Sequence, residues 1–120
     1  MEWLTILAIF VAILIVGAFV GVVGFVIYSL ITNRKYVITR YENGNKREEG
    51  ILKNGKREGK WIRWWGNGNK MYEKEYKDGK PEGKYIEWYG NGNKRFEGEY
   101  KNGERVGQWI EWDENGKKIV

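Results

Sequence analysis

Hydrophobic and polar positions follow two different patterns along the chain. From Trp3 to Ile31 no residue is charged, and a helix of this stretch would be roughly 43 Å long at about 1.5 Å per residue. This length exceeds the roughly 30 Å hydrocarbon thickness of a bilayer. Beyond residue 33, short stretches alternate between apolar and polar positions, as β-strands do. The sequence therefore predicts a transmembrane α-helix in residues 1–33 and an all-β domain in residues 34–120.

The flanks of the apolar stretch favour an uncleaved anchor. A signal peptide would have a basic start, a shorter apolar segment and a small-residue cleavage site, and none of these is present. Positive charges follow the stretch at Arg34, Lys35 and Arg40, and positively charged flanks remain in the cytoplasm. We therefore expect a single-pass protein of the cell membrane with its β domain in the cytoplasm.

Small residues inside the apolar stretch suggest that two helices pair. Gly17 and Gly21 stand four positions apart, a spacing that lets membrane helices approach closely and would give a homo-oligomer. The alternative is that glycine is simply common in membrane helices.

The β domain repeats one motif with a period of 24 residues. Asn43-Gly44-Asn45-Lys46 recurs at Asn67, at Asn91 and, as Asn-Gly-Lys-Lys, at Asn115. A second turn recurs in phase as Asn54-Gly55, Asp78-Gly79 and Asn102-Gly103. Because Asn-Gly and Asp-Gly favour tight hairpin turns, each unit predicts a two-stranded hairpin. Stacked hairpins of this kind form an all-β repeat solenoid of antiparallel hairpins.

The alternation within the strands predicts which face is buried. Six positions keep their residue type from unit to unit and are the expected core face: Ile62, Trp64, Ile86, Trp88, Ile110 and Trp112. Their alternate neighbours vary and are expected to face water. Gly50 and Gly98 are expected to leave gaps for large side chains of the neighbouring strand. At the equivalent position, Lys74 is expected to lay its stem along the sheet with its ammonium in water.

The composition excludes several kinds of chemistry. The chain has no Cys and no His, so it lacks thiolate nucleophiles and the commonest zinc ligands. Its only Ser lies in the apolar stretch, and Thr39 is the only hydroxyl of the Ser and Thr type in the β domain. We therefore predict a protein that is not an enzyme, with no catalytic residues, no metal and no cofactor.

Lysines and aromatic residues are the candidate binding groups. Lys46, Lys70, Lys94 and Lys118 recur along one side and could bind anionic lipid of the cytoplasmic leaflet. Alternatively, they pair with Glu49, Glu73 and Glu97 and with Glu58 and Glu82 in a solvated mixed-charge face. Nucleic acid is not expected, because acidic residues are too frequent for a backbone-binding groove.

The variable aromatic positions are the predicted site for a protein partner. Aromatic side chains that are not buried in a hydrophobic core often anchor protein interfaces. The alternative is that they pack with one another across strands. The five residues are Trp61, Trp65, Tyr85, Tyr89 and Trp109.

The segments Glu97–Trp109 (EGEYKNGERVGQW) and Tyr76–Tyr85 (YKDGKPEGKY) resemble MORN repeats. More narrowly, they are similar to the bacterial variant found in YwqK-type antitoxins. The resemblance covers residues 36–120 and implies binding rather than catalysis. It suggests an antitoxin or immunity protein that neutralises a toxin, or an accessory subunit of a membrane complex. A second hypothesis is a self-associating scaffold that lies on anionic lipid through its lysines.

Overall fold

The computed structural model describes residues 24, 26, 27 and 30–120. The chain divides into two compact units, residues 1–34 and residues 35–120. Of the first unit, the described residues 24, 26, 27 and 30–32 are helical. Within this described part, no helix has the length and apolar character needed to cross a bilayer. Most of the predicted transmembrane helix, including Gly17 and Gly21, lies outside the described residues.

The repeats form one seven-stranded sheet whose strands are neighbours in sequence order. Each neighbouring pair from β2 to β7 is antiparallel. The predicted all-β repeat of antiparallel hairpins is therefore confirmed. The strands are β1 (Arg34–Arg40), β2 (Lys46–Lys53), β3 (Lys56–Trp64), β4 (Lys70–Lys77), β5 (Lys80–Trp88), β6 (Lys94–Lys101) and β7 (Glu104–Glu111).

Two kinds of turn alternate along the sheet. The tight turns have both central residues at positive φ, as at Asn54 (52°) and Gly55 (77°). This backbone geometry explains the Asn-Gly and Asp-Gly pairs, since few other residues tolerate it. In the longer turns only the glycine has positive φ, as Gly68 does at 91°. There Asn67 Oδ1 accepts the backbone N–H of Asn69 at 3.0 Å and closes a local Asx turn.

The longer turns are hydrogen-bonded to one another along one edge of the sheet, which we call the asparagine edge. Asn67 and Asn69 each donate their Nδ2 to the carbonyl of Gly90 in the next unit, at 2.8 and 2.9 Å. The units before and after repeat this pair of bonds, with Gly66 and Glu114 as the acceptors. Each unit is thus held to the next by side chains as well as by strand pairing.

The deepest burial lies on the face that the sequence analysis assigned to water. Trp61 and Tyr85 are 3% and 9% exposed, and they are the only buried hydrophobic residues within the described part of the chain. The expected core residues Ile62, Trp64, Ile86, Trp88, Ile110 and Trp112 are all half-buried. The predicted core face was therefore wrong. The residues that keep their type from unit to unit contact partners that recur on the neighbouring strands. They are not the most buried residues.

Gly50 and Gly98 explain why the face that carries Trp61 packs more tightly than the face that carries Ile62 and Trp64. A Cβ atom on Gly50 would lie 2.3 Å from the Trp61 ring, and one on Gly98 would lie 2.4 Å from the Trp109 ring. The predicted gaps are confirmed, and indole rings fill them. Only side chains on the glycine face can reach this space, and Trp61 and Trp109 belong to that face. We call it the aromatic face, and we call the opposite one the Ile–Trp face.

Candidate functional site

The central unit of the aromatic face differs from its neighbours at three positions that compensate one another. In the outer units, Arg57 lies over Trp61 at 4.3 Å and Arg105 lies over Trp109 at 4.1 Å. The central unit has Pro81 at the arginine position, Lys74 at the glycine position and the smaller ring of Tyr85 at the tryptophan position. Lys74 therefore occupies the space that glycine leaves elsewhere and supplies the cation that arginine supplies elsewhere.

The ammonium of Lys74 lies beside three aromatic rings. Its Nζ lies 4.8 Å from the ring centre of Tyr100, 5.4 Å from that of Tyr85 and 5.7 Å from that of Tyr76. Such positions are attractive because the faces of aromatic rings carry negative charge density. The ammonium was expected to lie in water; the Lys74 side chain is half-buried, and these rings stand beside its ammonium. Burial is the main cause of the raised pKa of Tyr85. The hydrogen bond that the Tyr85 hydroxyl donates to Glu87 at 2.5 Å raises this pKa further.

Of the three predicted partner-binding residues within the strands, Tyr85 and Trp109 pack against other rings, while Trp61 packs against Gly50 and Arg57. The ring centres of Tyr85 and Trp109 are 5.5 Å apart, and Tyr100 meets Trp109 edge-on at 5.1 Å. Tyr72 stacks on Tyr85 at 6.4 Å. Trp61 and Tyr85 are buried and Trp109 is half-buried, so these rings form the packed layer of the aromatic face. Tyr85 and Trp109 match the alternative of cross-strand packing that the sequence left open.

The other two predicted residues, Trp65 and Tyr89, lie in the longer turns. Trp65 Nε1 donates to the carbonyl of Trp88 at 3.3 Å, and the Tyr89 hydroxyl donates to that of Trp112 at 2.9 Å. Tyr41 makes the same contact with Trp64. Both rings are half-buried and hold neighbouring units together. The five residues are therefore not brought together as one exposed cluster.

The Ile–Trp face is built from two parallel rows that cross the sheet. In the first row, Ile62 and Ile86 each stand directly opposite glutamates of the neighbouring strands, and Glu73 is shared between them. In the second row, Trp64 pairs with Lys70 and Trp88 pairs with Lys94. This surface is half-exposed and has apolar groups at regular intervals with charges of both signs between them.

The lysines of the second row are held by glutamate and tryptophan. Lys70 Nζ lies 2.5 Å from Glu73 and 5.7 Å from the ring centre of Trp88. The same pair of contacts recurs at Lys46, with Glu49 and Trp64, and at Lys94, with Glu97 and Trp112. The hydrogen bond from Lys46 contributes most to lowering the pKa of Glu49. The predicted pairing with Glu49, Glu73 and Glu97 is confirmed for these three lysines, while Lys118 forms a backbone bridge with Trp112.

Glu58 and Glu82 do not pair with the recurring lysines Lys46, Lys70, Lys94 and Lys118, as the alternative had predicted. Glu58 Oε2 accepts the backbone N–H of Asp78 at 3.0 Å, and Glu82 Oε2 accepts that of Asn102 at 2.6 Å. Each of these carboxylates fixes the tight turn of the next unit. The role of Glu58 and Glu82 is structural, because each carboxylate binds a backbone amide of a turn and not the expected lysine.

Two grooves cross the Ile–Trp face at equivalent positions. The smaller has a volume of about 90 Å³, and Glu75 closes it by accepting the backbone N–H of Lys84 at 3.2 Å. The larger, beside β7, has a volume of about 370 Å³. There Glu99 makes no corresponding bond to β7 among the described residues, so the groove stays open. Its lining includes Lys84, Glu97, Glu99, Val106, Gln108 and Ile110.

The Ile–Trp face is the surface that the sequence analysis missed as a site. The signal was available, because Ile and Trp recur unchanged beside a recurring lysine, but constancy was interpreted as burial. No group of three or more carboxylates is placed to hold a metal ion in the part of the chain that the structure describes.

Comparison with known proteins identifies the repeat. Residues 57–78, 81–102 and 105–120 match a family described as MORN repeat variant, and together they make up half of the chain. These segments begin at equivalent positions of β3, β5 and β7. No curated protein and no solved structure gives a significant match.

Proposed function

Because the chain belongs to the MORN repeat variant family, whose repeats are in general non-catalytic modules that bind proteins or membranes, we propose a membrane-anchored protein-interaction module. It binds a protein partner through the Ile–Trp face. The partner is a toxin that the protein neutralises, as an antitoxin or immunity protein, or a membrane complex of which it is an accessory subunit.

One observation carries this proposal. Ile62, Ile86, Trp64 and Trp88 are only half-buried in the sheet, and no other described element covers them. Aromatic and aliphatic side chains with charged neighbours are typical of the centre and rim of protein interfaces. The open groove beside β7 adds a concave region in which a partner side chain would be enclosed.

The alternative is a self-associating scaffold that binds anionic lipid through Lys46, Lys70, Lys94 and Lys118. This hypothesis has less support, because each of the first three ammonium groups already contacts a carboxylate within 2.9 Å. A charge that is neutralised locally contributes little attraction to a distant lipid surface.

The test is purification of the full-length protein from its native membrane in mild detergent, with mass spectrometry of the proteins that accompany it. We expect a foreign protein in stoichiometric amount, lost in the variant Ile86→Arg. Ile119→Arg is the matched control, since Ile119 is 58% exposed and lies outside the two rows. Lys84→Glu, at the rim of both grooves, provides a second variant if Ile86→Arg fails to fold by circular dichroism.

Each outcome decides between the hypotheses. Retention of the partner by both folded variants would rule out the Ile–Trp face as its site. Recovery of the protein alone would contradict the interaction module. Self-association with retained anionic lipid and no foreign protein would favour the scaffold.

A further inference from the structure

The Asn-Gly pairs in the turns of the sheet are chemically reactive as well as turn-forming. The backbone nitrogen of a glycine can attack the side-chain carbon Cγ of the preceding asparagine, because glycine has no side chain to obstruct the approach. Rotation into this attack breaks any hydrogen bond that the asparagine side chain makes, and each such bond costs free energy to break. The bonds of each turn therefore decide which pair reacts. The asparagines followed by glycine are Asn43, Asn54, Asn67, Asn91, Asn102 and Asn115.

Three of these side chains are fixed at both ends on the asparagine edge. Asn67 Oδ1 accepts the backbone N–H of Asn69 at 3.0 Å, and Asn67 Nδ2 donates to the carbonyl of Gly90 at 2.8 Å. Asn43 and Asn91 make the same two bonds. One bond lies within the turn and the other reaches the next unit. The asparagine edge thus protects its own Asn-Gly pairs as well as joining the units.

Asn54 and Asn102, in the tight turns, are held through the backbone. Their φ angles are 52° and 51°, and each turn joins two strands that pair up to the turn. Asn102 N–H donates to Glu82 at 2.6 Å, and Gly103 N–H donates to the carbonyl of Pro81 at 2.9 Å. Moving the Gly103 nitrogen toward the Asn102 side chain would break its bond to Pro81 and disturb the end of the hairpin.

Asn115 lacks these restraints. In its turn Asp113 stands where the other longer turns have Tyr or Trp, and Asp113 Oδ1 accepts the N–H groups of Asn115 and Lys117, both at 2.9 Å. The N–H of residue 117 is the group that the asparagine oxygen binds in the other turns. No following turn lies beside Asn115 in the described chain to accept its Nδ2. Its side chain is exposed and forms no hydrogen bond with any described residue.

The attacking nitrogen does not account for the difference between the turns. Gly116 N–H donates to the carbonyl of Asp113 at 3.0 Å, and Gly68 N–H donates to that of Trp65 at the same distance. What distinguishes Asn115 is that its side chain can rotate without breaking a hydrogen bond.

We propose that Asn115 is the site at which the chain is modified by spontaneous deamidation. The Gly116 nitrogen forms a bond to Cγ of Asn115, the bond between Cγ and Nδ2 breaks, and Nδ2 leaves as ammonia with the proton of the Gly116 amide. The product is a succinimide ring. Water then opens the ring at either of its two carbonyl groups and leaves aspartate or isoaspartate at position 115. Because the nitrogen attacks after it has lost its proton, the reaction accelerates as the pH rises.

The product changes how the chain after the turn pairs with β7. A carboxylate at position 115 lies close to that of Asp113, and like charges repel. Isoaspartate also adds a carbon atom to the main chain, which should move Lys118 out of its bridge with Trp112. The bond from the Ile119 N–H to the Glu111 carbonyl, at 2.7 Å, should weaken with it. Deamidation would therefore loosen the segment that covers the end of β7.

The experiment follows every Asn-Gly pair in the full-length chain, kept in mild detergent at mildly alkaline pH. Proteolysis after lysine and arginine releases each pair in a separate peptide. Mass spectrometry measures the deamidated fraction of each peptide over time, and chromatography separates aspartate from isoaspartate. We expect Asn115 to react about tenfold faster than Asn67 and Asn91, whose side chains must first break two hydrogen bonds.

The same chain unfolded in urea is the control, because every pair then keeps its glycine and loses its turn. We expect the rates of all the pairs to converge there. An advantage of Asn115 that persists in urea would assign the difference to local sequence and overturn the proposal. Equal rates at Asn115 and Asn67 in the folded chain, or a faster reaction at Asn102, would also overturn it.

A pair of substitutions tests the cause. Asp113→Tyr with Lys117→Asn gives this turn the aromatic residue and the second asparagine of the Asn91 turn, so that Asn115 Oδ1 can accept the N–H of residue 117. Deamidation at Asn115 should then slow several-fold, while the rate at Asn91 stays unchanged. Glu114→Gln is the matched control, since it leaves the bonds of Asp113 in place. An unchanged rate at Asn115 in the folded double variant would contradict the proposed cause, and the comparison of sites in the unaltered chain does not depend on whether that variant folds.

Discussion

Two glycines of the aromatic face make room for indole rings. Gly98 leaves room for the ring of Trp109, as Gly50 does for that of Trp61. We predict that Gly98→Ala lowers the free energy of unfolding by about 1–3 kcal/mol, because the added methyl group overlaps the Trp109 ring. Urea unfolding of the full-length chain in detergent, followed by tryptophan fluorescence, measures the change.

Gly90→Ala is the control for that substitution. Gly90 does not have positive φ, and a Cβ atom there meets no heavy atom within 4 Å. Its carbonyl remains available to Asn67 and Asn69. We expect a change within about 0.5 kcal/mol. If the two substitutions changed the free energy of unfolding equally, the change would come from the loss of a glycine and not from overlap with the Trp109 ring.

At the level of hairpins, the side-chain bonds along the asparagine edge hold the units together. We predict that Asn69→Ala lowers the free energy of unfolding by about 0.5–1.5 kcal/mol, because it removes one of the two donors to the Gly90 carbonyl. The turn itself should persist, since Trp65 N–H still donates to the carbonyl of residue 69. The same unfolding measurement detects the effect.

Lys117→Ala provides the comparison, because Lys117 occupies the equivalent position in the last turn. That turn is closed differently, with Asp113 Oδ1 accepting the N–H groups of Asn115 and Lys117, both at 2.9 Å. We expect almost no change in stability. A loss as large as that of Asn69→Ala would show that the residue acts within its own turn and not on the next unit.

The sequence predicted the hairpins and turns well because their causes are local. Asn-Gly and Asp-Gly dipeptides impose positive φ wherever they occur, and alternation with period two sets the strands between them. The gap at Gly98 was also foreseeable, since a strand glycine between large residues leaves space. Each of these features depends on a few neighbouring residues.

Burial could not be assigned in the same way. Alternation separates two faces but does not state which one is covered, and in a single sheet the answer depends on contacts between strands. Trp61 is buried because Gly50 of the neighbouring strand makes room for it. Trp64 remains half-exposed beside Lys46, which lies over its ring at 5.4 Å. The two asparagines that bridge adjacent turns were missed for the same reason.

For the whole molecule, the arrangement of charge predicts the orientation of the proposed membrane anchor. Arg34, Lys35 and Arg40 follow the uncharged stretch directly, while no Lys or Arg precedes it. Because positively charged flanks stay in the cytoplasm, the repeat sheet should lie inside the cell and the N-terminus outside. The chain has no cysteine, so a single introduced thiol reports the side on which it lies.

We predict that Asn115→Cys resists a membrane-impermeant maleimide in intact cells and reacts once the cells are permeabilised. Asn115 is exposed in the sheet, so lack of labelling cannot be attributed to burial. Glu2→Cys, on the other side of the apolar stretch, should react in intact cells. If the labelling of the two sites were reversed, the sheet would lie outside the cell.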